Sequence, residues 1–430
     1  MSDPRRRLLL ALALLALASP LAAQKGKKVD PLDALVERWF VADEHTPAGR
    51  TERAAVLAEL DAAGPLAPAD VAAWSAKVLA RWKTGPKLEK KVGQHWFWEK
   101  EERGKYIVGG ETKKPRGLFL GMHGGGAGVG EATDASSFHD PAVQKMKWLG
   151  IYPEVLEKTE HGWTDSGTEE FVIELVEEAL RTWDIDRDHV YFGGHSMGGY
   201  GSWTLGAHFA DMVAALAPSA GAPTPLWDSS RKPVDIIAGV IPNLRNVAMV
   251  IYQSIDDPKV PVETNRCAVE KLKEAKARWG GYDFEYWEVD GRGHDEPPGG
   301  NKAHLEKIQD KVRDPRPLEV VWQPTLPWKR QSYWLWWDEP ALDAIVVAEL
   351  LPSENKVRIS CDKPVAGLHV LLDDKLLDLG KEVVIELNGK ERYRGTPAPS
   401  RAAILLSGSR GDPRLLFTCR VPVVVKPAGK

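Results

Sequence analysis

The chain of 430 residues is too long for one ordinary domain and accommodates two or three. Hydrophobic residues make up 43% of it and charged residues 27%, which places it among soluble globular proteins. The formal net charge is −4 and no basic stripe follows the first residues, so no nucleic-acid partner is expected.

The first residues read as an export signal. Arg5, Arg6 and Arg7 form a basic start, Leu8 to Ala18 a short apolar core, and Pro20-Leu21-Ala22-Ala23 a run of small residues, with cleavage expected after Ala23. The apolar core is short for a bilayer, although an N-terminal membrane anchor is the competing reading. The predicted protein is therefore secreted or periplasmic, with no membrane span in its mature form. An oxidising compartment suits disulfides, yet there are only three cysteines. Cys361 and Cys419 both fall in the inward phase of strand-like stretches, where they either pair or remain as buried thiols. Cys267 has no evident role.

Three regions follow the signal at 1–23: a helical segment over 24–94, an α/β domain over 95–314, and a Pro- and Trp-rich linker leading into a small β-rich accessory domain over 315–430. In the first, Leu32, Leu35, Val36, Trp39 and Phe40 keep helical spacing, as do Val71, Trp74, Val78, Leu79 and Trp82. This prefix is expected to pack against the α/β body. In the second, Leu118-Phe119-Leu120, Val190-Tyr191-Phe192 and Val247 to Tyr252 read as strands buried on both faces. Helical stretches separate them, one opened by a Ser166/Glu169 capping-box pattern. Alternation of this kind predicts a mostly parallel sheet covered on both sides. In the third, period-two alternation (Val357, Ile359, Cys361; Val383, Ile385, Leu387) and the hairpin signal Asn388-Gly389 predict a small antiparallel β domain. The region from about 320 is expected to be separable.

Four features carry chemistry. Gly194-His195-Ser196-Met197-Gly198 has the pattern of a nucleophile elbow, a sharp strand-to-helix turn that exposes a serine hydroxyl and aims the next backbone N–H, that of Met197, at a developing oxyanion. His123-Gly124-Gly125-Gly126 follows a predicted strand, and its glycines let the backbone approach a substrate carbonyl, with Gly124 and Gly125 as the expected donors. Asp257, with Asp256 as a rival, sits on the loop after the strand that ends at Tyr252, placed to orient a histidine. His294, alone among eleven histidines, lies in a Gly-rich loop after the last predicted strand of the sheet. The chain order is Ser, Asp, His. His195 is read as structural. There is no H-E-x-x-H, no cysteine pair at metal spacing and no P-loop, so neither cofactor nor metal is called for.

From about 115 to 312 the chain resembles bacterial α/β-hydrolase esterases of the phospholipase/carboxylesterase and polyhydroxybutyrate-depolymerase-like group, close to prolyl-oligopeptidase catalytic domains. The resemblance rests on His123-Gly124-Gly125, Gly194 to Gly199, Asp257 to Pro261 and Gly293-His294. It implies an α/β-hydrolase fold with Ser196 as nucleophile, Asp257 as acid and His294 as base. It does not cover the two ends of the chain. Gln253 departs from the family's pattern, where many relatives have glycine, and weakens the choice of acid. The expected activity is hydrolysis of short-chain acyl esters, small-molecule or carbohydrate, through an acyl-enzyme, with Trp163 and Tyr200 as pocket walls and Trp203 beside them or in the core. A secreted peptidase of the prolyl-oligopeptidase type and a glycan- or wall-binding protein with a dormant hydrolase core are the alternatives. Oligomeric state is left open.

Overall fold

The structure is a computed structural model that describes residues 30–424. The expected signal and its cleavage site lie outside these residues. An eight-stranded sheet forms the centre, built from β1 (Gly93–Trp98), β2 (Arg103–Gly110), β3 (Leu118–Met122), β4 (Leu149–Pro153), β5 (Val190–His195), β6 (Ala215–Ser219), β9 (Ala248–Ser254) and β10 (Phe284–Val289). Between β6 and β9 a short hairpin, β7 (Pro225–Trp227) and β8 (Pro233–Ile236), stands apart. The order across the large sheet is β1-β2-β4-β3-β5-β6-β9-β10, and only β2 runs against the rest. This is the α/β-hydrolase fold. Strand β3 is buried along its whole length, and β5 and β9 at all but one residue, which is why the sequence reads there as apolar runs.

Three helices precede the sheet, and each start is written in the sequence. Asp30 caps α1 (Pro31–Val41) by accepting from the Leu32 amide at 3.0 Å, and Thr46 caps α2 (Pro47–Ala62) by accepting from Gly49 at 3.1 Å. Both have Pro at the first helical turn, where no amide is needed. With α3 (Val71–Lys83) they turn Leu35, Val36, Trp39, Val56, Leu60, Trp74 and Val78 inward. That apolar face meets the C-terminal sheets, and the two ends of the chain share one hydrophobic core. Packing against the α/β body was the expectation, and His45 to Glu174 and Arg181 to the Trp82 carbonyl do make such contacts, but the apolar face itself is covered by the C-terminal unit.

The helices of the body are α4 (Ala132–Met146), α5 (Thr168–Thr182), α6 (Met197–His208), α7 (Val262–Trp279) and α8 (Gly300–Glu306). The capping pattern opening α5 is shifted by one residue: Gly167 takes the N-cap position and its amide donates to Glu170 at 3.0 Å. Glu169 is then free to accept from the buried His208 ring, 2.8 Å away.

The C-terminal unit holds a five-stranded and a four-stranded sheet and a helix, α9 (Arg401–Gly408). It is not purely antiparallel, since Lys356–Cys361 pairs in parallel with Val383–Leu387. Asn388 and Gly389 both adopt positive φ, as a two-residue primed turn requires. Cys361 and Cys419 lie in different sheets and are free thiols. Trp334, Trp336 and Trp337 are all buried in the shared core.

Charged groups fasten this unit to the body. Arg313 is 3% exposed and fully engaged: its guanidinium donates to Asp188 on the β5 approach, to the Asp211 carbonyl after α6, and to Asp412 in the C-terminal unit, each at 2.7–3.0 Å. Asp211, 1% exposed, accepts from Lys329 at 2.9 Å and Arg410 at 2.6 Å. His45, after α1, forms ion pairs with Asp43 at 3.3 Å and with Glu174 of α5 at 3.4 Å.

A chain truncated from residue 320 onward is expected to aggregate, because it uncovers the apolar faces of α1–α3. Size-exclusion chromatography checks this, and a soluble monomeric product would show that the body carries the helices alone. Burial disfavours the His45 cation, yet the Asp43 and Glu174 carboxylates outweigh that cost and push its pKa up to about 9. The stabilisation is then complete below the unfolded value of about 6.5 and is lost as pH rises through about 9. The melting temperature should fall over that window in the native protein and fall less in His45→Asn.

Candidate active site

The site gathers at the carboxyl ends of β3, β5, β9 and β10. Ser196 follows β5 with φ 60° and ψ −122°, a left-handed conformation that a non-glycine residue holds only under constraint, at a cost of about 1–3 kcal/mol. The constraint is crowding. A Cβ on Gly194 would lie 2.4 Å from the Gly198 backbone, and one on Gly198 would lie 2.1 Å from the Met122 carbonyl oxygen. Glycines therefore let the turn close against β3. Ser196 donates its own amide to the Ser219 carbonyl at 2.9 Å and starts α6, so its side chain is left half-buried at the rim.

The Gly-rich loop after β3 reaches the same point. A Cβ on Gly124 would lie 3.2 Å from the Ser196 Cβ, so the loop's backbone rests against the serine. His123 fixes this loop. Its Nδ1 is 2.7 Å from the Gly124 carbonyl and its Nε2 accepts from the Val155 amide at 3.2 Å, an arrangement that requires the proton on Nδ1. Burial depresses the ring's pKa and favours the neutral form that this pattern uses. The amides of Gly124, Gly125 and Met197 donate to no group among the described residues and are available to a ligand.

His294 lies on the loop after β10, its Nδ1 2.8 Å from Asp257 Oδ2. The Asp257 side chain is fully buried and the His294 side chain is 11% exposed. Asp257 Oδ1 accepts from the amides of Lys259 at 2.8 Å and Val260 at 3.0 Å, which holds the carboxylate in place. The His294 ring packs on that of His195, centroids 4.8 Å apart, directly beside Ser196. Burial, and then the neighbouring His294, push His195 down to about 4, so it stays neutral near pH 7. Its Nδ1 is occupied with the Ser219 hydroxyl at 3.1 Å.

The supporting roles of Gln253, Asn265 and Asp256 escaped the sequence reading. Gln253, fully buried at the end of β9, donates to Asp257 Oδ2 at 3.1 Å and accepts from Asn265 of α7 at 2.8 Å. The departure that weakens the choice of acid in the sequence thus braces that acid in the structure. A glutamine closing an otherwise apolar strand was the available signal. Asp256, the rival acid, faces away from the ring: its Oδ1 accepts from the Ser254 hydroxyl at 2.5 Å, from Arg292 N at 3.2 Å and from Gly293 N at 2.9 Å. It clamps the loop that carries His294.

Of the two predicted pocket walls, Trp163 is corrected. It is 0% exposed, donates its indole N–H to the His123 carbonyl at 3.2 Å and packs beneath Gly201, so it supports the glycine loop from below. Trp203 is likewise core. Tyr200 stays half-buried at the rim, its hydroxyl 2.6 Å from that of Thr164. The hairpin β7–β8 was not anticipated. It exposes Leu226, Trp227 (53%), Val234 and Ile237, and it begins next to Thr224, whose side chain meets the Tyr200 hydroxyl.

No family model and no curated protein matches the chain. Among solved structures it is similar to a thermostable esterase (22% identity over 49% of this chain and 60% of that one, TM-score 0.37). It is similar also to a CE1 ferulic acid esterase of the anaerobic fungus Anaeromyces mucronatus (18%, 51% and 89%, TM-score 0.36). A third likeness is to a phospholipase/carboxylesterase of Dyadobacter fermentans (16%, 50% and 97%, TM-score 0.33). These likenesses concern about half of this chain, and the chain spans 60% of the first structure's length.

A proton held between His294 Nδ1 and a fully buried carboxylate should give a slowly exchanging, downfield proton resonance. Loss of that resonance in His294→Ala and Asp257→Asn, with retention in Asp256→Asn, is the expected outcome. Retention in Asp257→Asn would break the assignment of the pair.

Proposed function

We propose that the chain is a serine ester hydrolase. The observation that carries this reading is the meeting, at one rim, of a strained serine, unengaged amides on two sides of it, and a histidine bonded at 2.8 Å to a buried carboxylate. In this reading His294 takes the Ser196 proton, Ser196 Oγ attacks the acyl carbon, and the oxyanion rests on the amides of Met197 and of Gly124 or Gly125. His294 returns the proton to the departing alcohol. Water, deprotonated by His294, then releases the acid and restores the serine. Asp257 orients the ring and stabilises its charged form.

The substrates proposed are short-chain acyl esters, acetyl first, with carbohydrate esters as the natural class. Export, expected from the first residues, favours an extracellular polymer or its fragments. Trp227 and Tyr200 support the choice, since the exposed indole of the hairpin and the half-buried phenol at the rim each offer a flat face of the kind that suits a sugar.

Ser196→Ala should lower ester turnover by about a million-fold without unfolding the chain. Asp257→Asn should cost roughly two orders of magnitude more than Asp256→Asn, because only the former disturbs the ring's tautomer. Nitrophenyl esters of increasing acyl length, acetylated xylan fragments and peptide amides form the panel that tests the substrate. A maximum at long acyl chains, or amides cleaved faster than esters, would overturn the proposed class.

A further inference from the structure

A cleft of about 320 Å³ opens where the three parts of the chain meet, bounded by the end of α1, by α5 and the residue after α6, and by the stretch Trp328–Gln331. It lies at the opposite end of α6 from Ser196, about 18 Å away for a twelve-residue helix. Its size is that of a small-ligand site.

The cations that line it are engaged, with one exception. Arg53 pairs with Glu44, His45 with Asp43 and Glu174, and Lys329 and Arg410 with Asp211, while Arg181 donates to the carbonyls of Trp82 and Pro86. Arg330 has no carboxylate partner within ion-pair distance among the described residues, and its Nε is buried without a hydrogen bond. Of the other buried polar atoms of the lining without a hydrogen bond, two belong to neutral side chains: Nε1 of Trp39, a residue 1% exposed, and Oε1 of Gln331, a residue 3% exposed. The three residues are neighbours. Gln331 follows Arg330 and pairs in register with Trp336, and the Trp336 ring packs on Trp39 with centroids 6.5 Å apart. Aromatic rings form part of the remaining wall, with Trp328 stacked on Phe209 at 5.8 Å.

Such orphaned donors and acceptors are unfavourable in an interior unless something satisfies them. An anion satisfies the cation and the indole N–H, a hydroxyl satisfies the Gln331 oxygen, and a flat apolar body suits indole walls. We propose that this cleft is a second small-molecule site, which takes a hydroxylated aromatic carboxylate with its carboxylate on Arg330 and Trp39 and its hydroxyl on Gln331. Occupancy ties the helical prefix, the body and the C-terminal unit together, so the ligand stabilises the seam. This inference does not depend on the reaction at Ser196.

The test is calorimetric titration of the full chain with 6-hydroxy-2-naphthoate, beside 2-naphthoate and the neutral 2-naphthol, with melting temperature as a second readout. Saturable binding of the hydroxynaphthoate, weaker binding of each control and a raised melting temperature are expected. Arg330→Gln should weaken binding by roughly tenfold or more. Trp39→Phe, which keeps a ring and removes only the donor, should weaken it by a few-fold and carries the test should Arg330→Gln fail to fold. Ser196→Ala should bind as the native protein does. Absence of saturable binding, equal binding of 2-naphthol, unchanged affinity in both cleft variants, or lost binding in Ser196→Ala would each overturn the proposal.

Discussion

Backbone crowding after β5 is the constraint on which the candidate site depends. Strand β5, the start of α6, the loop after β3 and the end of β6 all pass within a few ångströms of Ser196, and no side chain fits between them. Close packing forces the serine to φ 60° and forbids relaxation into an ordinary helix start. The same closeness lays the Gly124 backbone against the serine and leaves the Met197 amide at the first position of α6, where a helix has no internal partner for it. Strain in the turn and unengaged donors around it thus have one origin.

A second tier of polar groups then holds the moving parts still. Asp257 is braced by Gln253, which is braced by Asn265, while Asp256 anchors the loop of His294 from the other side. Adjacent aspartates with opposite orientations divide the work between ring and loop. Farther out, the Arg313 network ties the approach to β5, the strand that leads into Ser196, to the C-terminal unit. All its members are buried, so losing one partner strands the others in a medium that solvates charge poorly, typically at about 3–5 kcal/mol. The two ends of the chain therefore act as a clasp on the body.

Much of this was legible in the sequence wherever local signals suffice. Apolar runs located β3, β5 and β9, helical spacing located α1 and α3, and Asn388-Gly389 located a hairpin. The glycine patterns around Ser196 and His123 encode a steric requirement that has few alternatives. What escaped depends on contacts distant in sequence. Trp163 looks the same whether it walls a pocket or supports a loop, and only the position of Gly201 decides. The prefix helices advertise an apolar face without naming the partner, which sits some 300 residues on. Helix α9 is a short apolar run whose periodicity does not separate helix from strand. The parallel pairing within the C-terminal unit leaves no local trace.

The central claim is that Ser196 is a nucleophile activated by its surroundings. Intact-protein mass spectrometry after exposure to a small fluorophosphonate, followed by peptide mapping, tests it most directly. The account predicts a single phosphonyl adduct on Ser196 that is absent in Ser196→Ala and strongly slowed in His294→Ala. An adduct on another serine, or labelling of Ser196 at an unchanged rate without His294, would contradict it.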